Sequence, residues 1–380
     1  MSIVAPPRQP LPPGGDELEA LIKEARRRQR RRRVLSAAIV AAAAVAGATA
    51  YAVTGHGGSS PVRTAPSHAV VLPLPSTRFV VAASTFRRPR LNGIVIADPA
   101  RHSCRRVGLP DSGGYVVFSG ERFAYSSRTS RAVWAGTIGS RPRRLATATW
   151  LQPYWVQGRL ALVASLVPRL TFVGGSAITF AVPRGAELGQ FASSRGRILF
   201  SGEWGSGPGG NLHSALFVYA NGRTRRIWND PNPHGAISGG PPAWSPDGSR
   251  IAVFEGADLW TIAPDGSRPA RLTRSETVHK AGPLLWSPDG GSIAFSADRL
   301  GVSEVYVASV QGGGARRLTR STRPAPPYDE LGTVPLAWLG NRTLAVLSGN
   351  SLGVVSAGGG RVTPVCTVPN TTFSLATALR

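Results

Sequence analysis

Beyond about residue 69, the chain alternates short apolar runs with clusters of Gly, Pro, Asp and Ser. The runs at residues 251–253 and 293–295 are almost continuously apolar, which is typical of strands buried on both faces. Residues 259–262 and 305–307 add the β-branched and aromatic side chains that favour strands. Helix signals are confined to the start of the chain, so the pattern predicts an all-β body.

Two stretches of this body repeat each other. Residues 243–275 return about 42 residues later as residues 285–321. Both copies read Trp-Ser-Pro-Asp-Gly, then Ile-Ala and an apolar residue, then an acidic residue, then Arg-Leu-Thr-Arg-Ser. A period of about 40–45 residues built from short strands is typical of a propeller blade.

Each copy opens with a tight turn. Pro presets φ at the first central position, Asp accepts the next position, and Gly takes a left-handed corner. The Trp of each copy is expected to pack in the core. The residues with these structural roles are Trp244, Pro246, Asp247, Gly248, Trp286, Pro288, Asp289 and Gly290.

Weaker versions of the unit occur before and after the two clear copies. Openings are predicted near Phe79, Tyr115, Trp155 and Phe191, and the last unit opens at Trp338 and ends at about Thr372. We therefore expect a β-propeller of about seven four-stranded blades over residues 76–380. Six blades is the alternative, and residues 166–189 are where the count is least certain.

The strong copies resemble the WD40-like (PD40) repeat of TolB-like β-propellers, and residues 296–307, SADRLGVSEVYV, match it closely. The strong match covers only residues 243–321. The resemblance implies a bacterial propeller that binds another protein. Such propellers also precede serine peptidase domains, so the resemblance does not by itself exclude an enzyme.

The start of the chain has a different character. Residues 1–15 are predicted to be a disordered Pro-rich tail, and residues 16–33 a cytoplasmic basic helix that ends in an arginine run. Residues 34–54 are predicted to be a transmembrane helix, because residues 34–53 are 20 uncharged residues, ten of them Ala. Residues 55–75 form a Gly/Ser/Pro linker. The positive-inside rule then puts the N-terminus in the cytoplasm and the propeller outside the membrane.

Two other interpretations of this start remain open. Ala48-Thr49-Ala50 resembles a signal-peptidase site, so cleavage near Ala50 would release a secreted protein. Residues 31–35 loosely resemble a twin-arginine signal. The arginine run also suggests nucleic-acid binding, but its position beside an apolar segment favours a membrane anchor.

The formal net charge is +24, and almost all of the cations are arginines. Such a charge favours anionic partners, among them acidic lipid, wall polymer and nucleic acid. The alternative is an ordinary solvated surface rich in arginine.

Cys104 and Cys366 are the two cysteines of the chain, and they fall in the first and last predicted blades. Outside the membrane a disulfide would join the two ends of the ring. Against this, a disulfide needs Cα atoms within about 7 Å, whereas outer strands of neighbouring blades are usually farther apart. Both outcomes remain open.

No catalytic motif is present: the sequence lacks G-x-S-x-G, H-E-x-x-H, Cys-x-x-Cys and a P-loop. We predict no catalytic residue, metal or cofactor. Binding is expected on loops at one mouth of the channel. The candidates are Trp204, His234, His279, Tyr328, Asp329 and Glu330.

The predicted function is a membrane-tethered extracytoplasmic propeller that binds an envelope protein or peptide segment without catalysis. A sensor of anionic wall polymer or carbohydrate is the first alternative. A propeller-type hydrolase or lyase is the second.

Overall fold

The computed structural model describes residues 74–84, 93–109, 116–127, 131–147, 151–164, 167–205, 213–229, 240–256, 258–274, 279–299, 302–320, 333–368 and 372–379. These residues form seven four-stranded sheets, each made of antiparallel neighbours. The all-β prediction and the count of seven blades are therefore confirmed. The predicted membrane helix at residues 34–54 lies outside the described residues, among which no helix is long and apolar enough to cross a membrane.

The strands are numbered in chain order, and each blade is given from its innermost to its outermost strand. Blade 1 contains β28 (Thr372–Ala378), β1 (Phe79–Ser84), β2 (Gly93–Asp98) and β3 (Ser103–Gly108). Blade 2 contains β4 (Val116–Ser119), β5 (Arg122–Ser127), β6 (Ala132–Thr137) and β7 (Arg143–Thr147). Blade 3 contains β8 (Leu151–Val156), β9 (Arg159–Ala164), β10 (Arg169–Phe172) and β11 (Ala177–Thr179). Blade 4 contains β12 (Glu187–Ser194), β13 (Arg197–Trp204), β14 (His213–Ala220) and β15 (Arg223–Asn229).

The last three blades follow the same order. Blade 5 contains β16 (Ala243–Trp244), β17 (Ile251–Glu255), β18 (Asp258–Ile262) and β19 (Ala270–Arg271). Blade 6 contains β20 (His279–Trp286), β21 (Ser292–Arg299), β22 (Val302–Ser309) and β23 (Ala315–Arg317). Blade 7 contains β24 (Thr333–Trp338), β25 (Thr343–Ser348), β26 (Ser351–Ser356) and β27 (Thr363–Thr367).

The ring is closed by its C-terminal strand. β28 pairs with β1 and so provides the innermost strand of blade 1. Sequence reasoning missed this strand, because it placed the end of the last unit at about Thr372 and assigned nothing beyond it. A lone terminal strand carries no repeat motif, so only the pairing of its partner reveals where it belongs.

A disulfide joins the same two blades at the outer rim. Cys104 in β3 is bonded to Cys366 in β27, and their Cα atoms are 6.0 Å apart. The general expectation that neighbouring outer strands lie too far apart does not hold at this seam. Strand pairing at the inner rim and the disulfide at the outer rim therefore both connect blade 1 to blade 7.

The core lies between blades rather than inside them. Buried apolar residues of the described chain form seven clusters, one at each seam of the ring. At the seam of blades 5 and 6, for example, Phe254 packs with Phe295, and both rings are buried. This arrangement explains why the second strand of a blade is apolar on both faces.

Candidate binding surfaces

The Trp-Ser-Pro-Asp-Gly turns are held by hydrogen bonds within each turn. The Ser245 hydroxyl donates to the Asp247 carboxylate at 2.6 Å, and the Ser249 amide donates to it at 3.0 Å. Hydrogen bonds from Ser245 and Ser249 lower the pKa of Asp247 to about 2. In the second copy, hydrogen bonds from Ser287 and Gly291 lower the pKa of Asp289 in the same way. Both carboxylates therefore accept hydrogen bonds within their own turns and stabilise them.

Gly248 also contributes to the contact between blades 4 and 5. Its φ is 66°, in the left-handed region that favours glycine. A Cβ at this position would lie 2.7 Å from Ser194 Oγ and 2.9 Å from Arg197 Nη2. Arg197 Nη2 donates to the Gly248 carbonyl at 2.6 Å. The turn of blade 5 therefore packs directly against the β12–β13 hairpin of blade 4.

The tryptophans of the innermost strands connect neighbouring blades. The Trp286 indole donates to the Ala243 carbonyl at 3.0 Å, and the Trp338 indole donates to the Leu285 carbonyl at 2.9 Å. The Trp244 ring lies 4.7 Å from the guanidinium carbon of Arg197. The described contacts of these tryptophans lie within the scaffold.

The Arg-Leu-Thr motif of blades 5 and 6 holds a buried acid. In blade 6, Arg317 Nη2 lies 2.9 Å from the Glu304 carboxylate, Arg317 Nε donates to the Thr319 carbonyl at 2.7 Å, and the Thr319 hydroxyl donates to Glu304. In blade 5, Arg271 pairs with Asp258 in the same way. These acids are buried and are engaged within their own blades.

The structure describes two of the six predicted loop candidates, Trp204 and His279. Trp204 ends β13, where its ring stacks on His213 with centroids 5.8 Å apart and also packs against Phe217. His279 begins β20 directly opposite Asp298 in the neighbouring strand. Trp204 and His213 thus form a small aromatic surface at one end of blade 4. The candidates outside the described residues are His234, Tyr328, Asp329 and Glu330.

The outermost strands carry a charge pattern that sequence reasoning did not assign. The seven outer strands contain ten arginines and no Asp or Glu. Nine of the ten arginines are exposed, and Arg106 is half-buried. Arginine pairs in the sequence were the available signal, but only the blade order shows that they lie on one rim. The ten residues are Arg105, Arg106, Arg143, Arg144, Arg223, Arg225, Arg226, Arg271, Arg316 and Arg317.

A cleft of about 400 Å³ lies between blades 4 and 5. The Trp228 ring lies near Trp260 of blade 5, with ring centroids 6.1 Å apart. An indole beside amide, guanidinium and carboxylate groups offers an apolar surface together with donors and acceptors, which suits a sugar ring. The lining residues are Arg226, Ile227, Trp228, Asn229 and Glu255.

The described residues contain no group of three or more His, Cys, Asp and Glu side chains arranged to hold a metal ion. No protein-family model matches the sequence, and no curated protein matches it.

Solved structures resemble this chain at low sequence identity. An oligogalacturonate lyase from Vibrio parahaemolyticus is 12% identical over 77% of this chain and 85% of its own, with a TM-score of 0.50. A putative TolB from Agrobacterium tumefaciens is 15% identical over 80% of this chain and 92% of its own, with a TM-score of 0.40. A puromycin-hydrolyzing peptidase from Mycobacterium tuberculosis is 18% identical over 66% of this chain, with a TM-score of 0.49.

These likenesses concern the fold. This chain spans only 46% of the length of the peptidase. A shared propeller fold does not by itself decide between catalysis and binding. Function has to be argued from the surfaces of this chain.

Proposed function

We propose that this protein is a membrane-tethered extracytoplasmic propeller that acts by binding an anionic ligand of the cell envelope. Two observations support the location. The Cys104–Cys366 disulfide is typical of an oxidising compartment. The arginine run before residues 34–53 favours an N-terminus in the cytoplasm.

Labelling of intact cells tests this orientation. A membrane-impermeant maleimide should react with an Arg342→Cys variant, because Arg342 is exposed on blade 7. A Ser2→Cys variant should react only after lysis. Labelling of Ser2→Cys in intact cells, with Arg342→Cys protected, would reverse the topology. A blot of the mature protein separates the anchor from a product that starts near Tyr51.

The observation that carries the anionic ligand is the set of outer-strand arginines. The ten outer-strand arginines, two of which pair with Asp258 and Glu304 of the neighbouring strands, give the rim an excess of positive charge. A flexible polyanion, such as an acidic wall polymer, can contact several of them at once. The cleft beside Trp228 offers such a polymer a place for a sugar ring.

Removal of exposed outer-strand charges tests this ligand. The full-length protein in detergent should bind a purified anionic wall polymer at low salt and release it as ionic strength rises. A variant with Arg143, Arg223 and Arg225 changed to Ala should elute at clearly lower salt. The matched control removes three exposed arginines from other strands and loops, Arg169, Arg184 and Arg342. Equal losses of binding in both variants would mean that binding depends only on the net charge. An unchanged elution of the outer-strand variant would mean that these arginines do not bind the polymer.

A protein segment remains the second candidate ligand, and the pair formed by half-buried Trp204 and exposed His213 favours it. In-cell crosslinking should then capture one envelope protein at both low and high salt. That capture should be lost when Tyr328, Asp329 and Glu330 are changed to Ala. If incubation of the protein with its ligand released a chemically modified product, the protein would be an enzyme and not only a binding module.

A further inference from the structure

Five blades align an arginine of the outermost strand with residues of the second and third strands. In blade 2 this row is Tyr125, Trp134 and Arg144, and in blade 4 it is Phe200, Phe217 and Arg226. In blade 6 the row is Phe295, Tyr306 and Arg317. In blade 5 it is Val253, Trp260 and Arg271. In blade 1 it is Val81, Val95 and Arg106. Arg106 therefore occupies the position that the arginine of the Arg-Leu-Thr motif occupies in blades 5 and 6.

The partner of this arginine differs between the blades. Two residues before the row, the third strand carries Glu304 in blade 6 and Asp258 in blade 5. The equivalent residues are Gly93 in blade 1, Ala132 in blade 2 and Ala215 in blade 4. A Cβ on Gly93 would lie 2.4 Å from the Val107 carbonyl oxygen, so the close approach of β2 and β3 leaves no room for an acidic side chain. Blade 1 thus retains the arginine without its acid.

The consequence is visible at two atoms of Arg106. In blade 6, Arg317 Nε and Nη2 have partners, the Thr319 carbonyl and the Glu304 carboxylate. The same two atoms of Arg106 are inaccessible to solvent and have no hydrogen-bond partner. Burial accordingly lowers the pKa of Arg106. Buried donors without partners are rare in folded proteins, and a bound ion or water is a common explanation.

We propose that Arg106 is a carboxylate-binding residue, and that a ligand supplies the carboxylate that Glu304 and Asp258 supply in blades 6 and 5. The Nε and Nη2 donors form a side-on fork that matches the two oxygens of a carboxylate. Since these two donors are inaccessible to solvent, binding requires the long, half-buried Arg106 side chain to change rotamer and turn its fork to the outer rim. The site lies in the strand that holds Cys104, at the seam of blades 1 and 7.

This site goes beyond the proposed function, because it needs one carboxylate at one arginine rather than a polyanion along the rim. A carboxylate is the group that the equivalent arginines of blades 5 and 6 bind. Binding should therefore persist at an ionic strength that releases a polymer from the exposed arginines.

The experiment follows the Arg106 Nε resonance of the full-length protein in detergent, labelled with nitrogen-15 arginine. The resonance is assigned by its absence from an Arg106→Lys variant. Sodium acetate is added while sodium chloride is reduced to keep ionic strength constant. We expect a saturable shift of this resonance with acetate and an acetate-dependent rise in melting temperature.

The variants separate binding from folding. Arg106→Lys keeps the charge but not the fork, so it should weaken acetate binding by about ten-fold or more. Arg105→Lys is the matched control, because Arg105 is exposed on the same strand and outside the row, and it should bind as the parent does. Absence of a saturable acetate shift in the folded parent protein overturns the proposal. Equal losses in both variants overturn it as well.

Discussion

Blades 6 and 1 have the same backbone pairing but use their motif arginine differently. In blade 6, Arg317 is tied to Glu304, which is 2% exposed. In blade 1, Arg106 pairs with Val95, the residue two positions before Val95 is Gly93, and Arg106 keeps two unpartnered donors. A shared residue at a shared position is therefore a structural element in one blade and a candidate binding group in the other. The neighbour two residues away on the third strand decides which.

The largest effect is expected where the acid is present. Glu304→Gln should lower the free energy of unfolding by about 2–4 kcal/mol, because it removes the charge that Arg317 and Thr319 face in a buried site. Urea unfolding of the full-length protein in detergent measures this loss. An Arg317→Leu variant and the double variant complete a cycle that gives the coupling of the pair.

The contrast between Arg317 and Arg106 does not hold if Glu304 contributes little to stability. A loss below about 0.5 kcal/mol for Glu304→Gln would place it among ordinary surface substitutions. Arg317 would then be no more structural than Arg106, and blade 6 would also become a candidate site.

The second effect concerns the seam of blades 4 and 5. Gly248→Ala should lower stability by about 2–3 kcal/mol, because a Cβ would clash with Ser194 and Arg197 in addition to the strain of a positive φ. Gly222→Ala is the control, since its φ is 75° and a Cβ there meets nothing within 4 Å. That variant should lose about 1 kcal/mol. Equal losses of stability in the two variants would mean that blade 4 adjusts to the added Cβ and that only the positive φ is destabilising.

Much of this fold could be predicted from the sequence, because each blade repeats a period and a turn that Pro, Asp and Gly specify locally. Ring closure could not, since β28 pairs with a strand almost a whole chain away and has no motif. The disulfide could not be predicted either, because it depends on the distance between the two Cα atoms, 6.0 Å, and the sequence does not give this distance.

The candidate sites were harder still to predict. Of the loop residues, the structure describes the surroundings of Trp204, and it adds His213 beside it. The role of Arg106 depends on the absence of a side chain at Gly93, and a missing partner becomes visible only when the strands are aligned. The sequence pattern marks what is repeated, whereas this site arises where the acid of the repeat is missing and the arginine donors are buried.

A smaller effect depends on pH. Hydrogen bonds lower the pKa of Asp247 to about 2, from an ordinary value near 3.8. Its contribution to stability is therefore fully present above about pH 4 and is lost as the pH falls towards 2. Because Asp247 is exposed, we expect at most about 1 kcal/mol. The difference in melting temperature between the parent and Asp247→Asn should shrink from pH 5 to pH 2.5, and a constant difference would contradict this.

The smallest effect on stability is expected at the exposed arginines. Arg143 and Arg223 make no ion pair within the described part of the chain, and both are exposed on outer strands. Each change to Ala should therefore alter the free energy of unfolding by no more than about 0.5 kcal/mol. Urea unfolding of the variant that lacks Arg143, Arg223 and Arg225 checks this. A large loss would make these arginines part of the scaffold, as Arg317 is, and would remove the reason to assign them to a ligand. If stability is unchanged and polymer binding is weaker, these three arginines bind the ligand and do not stabilise the fold.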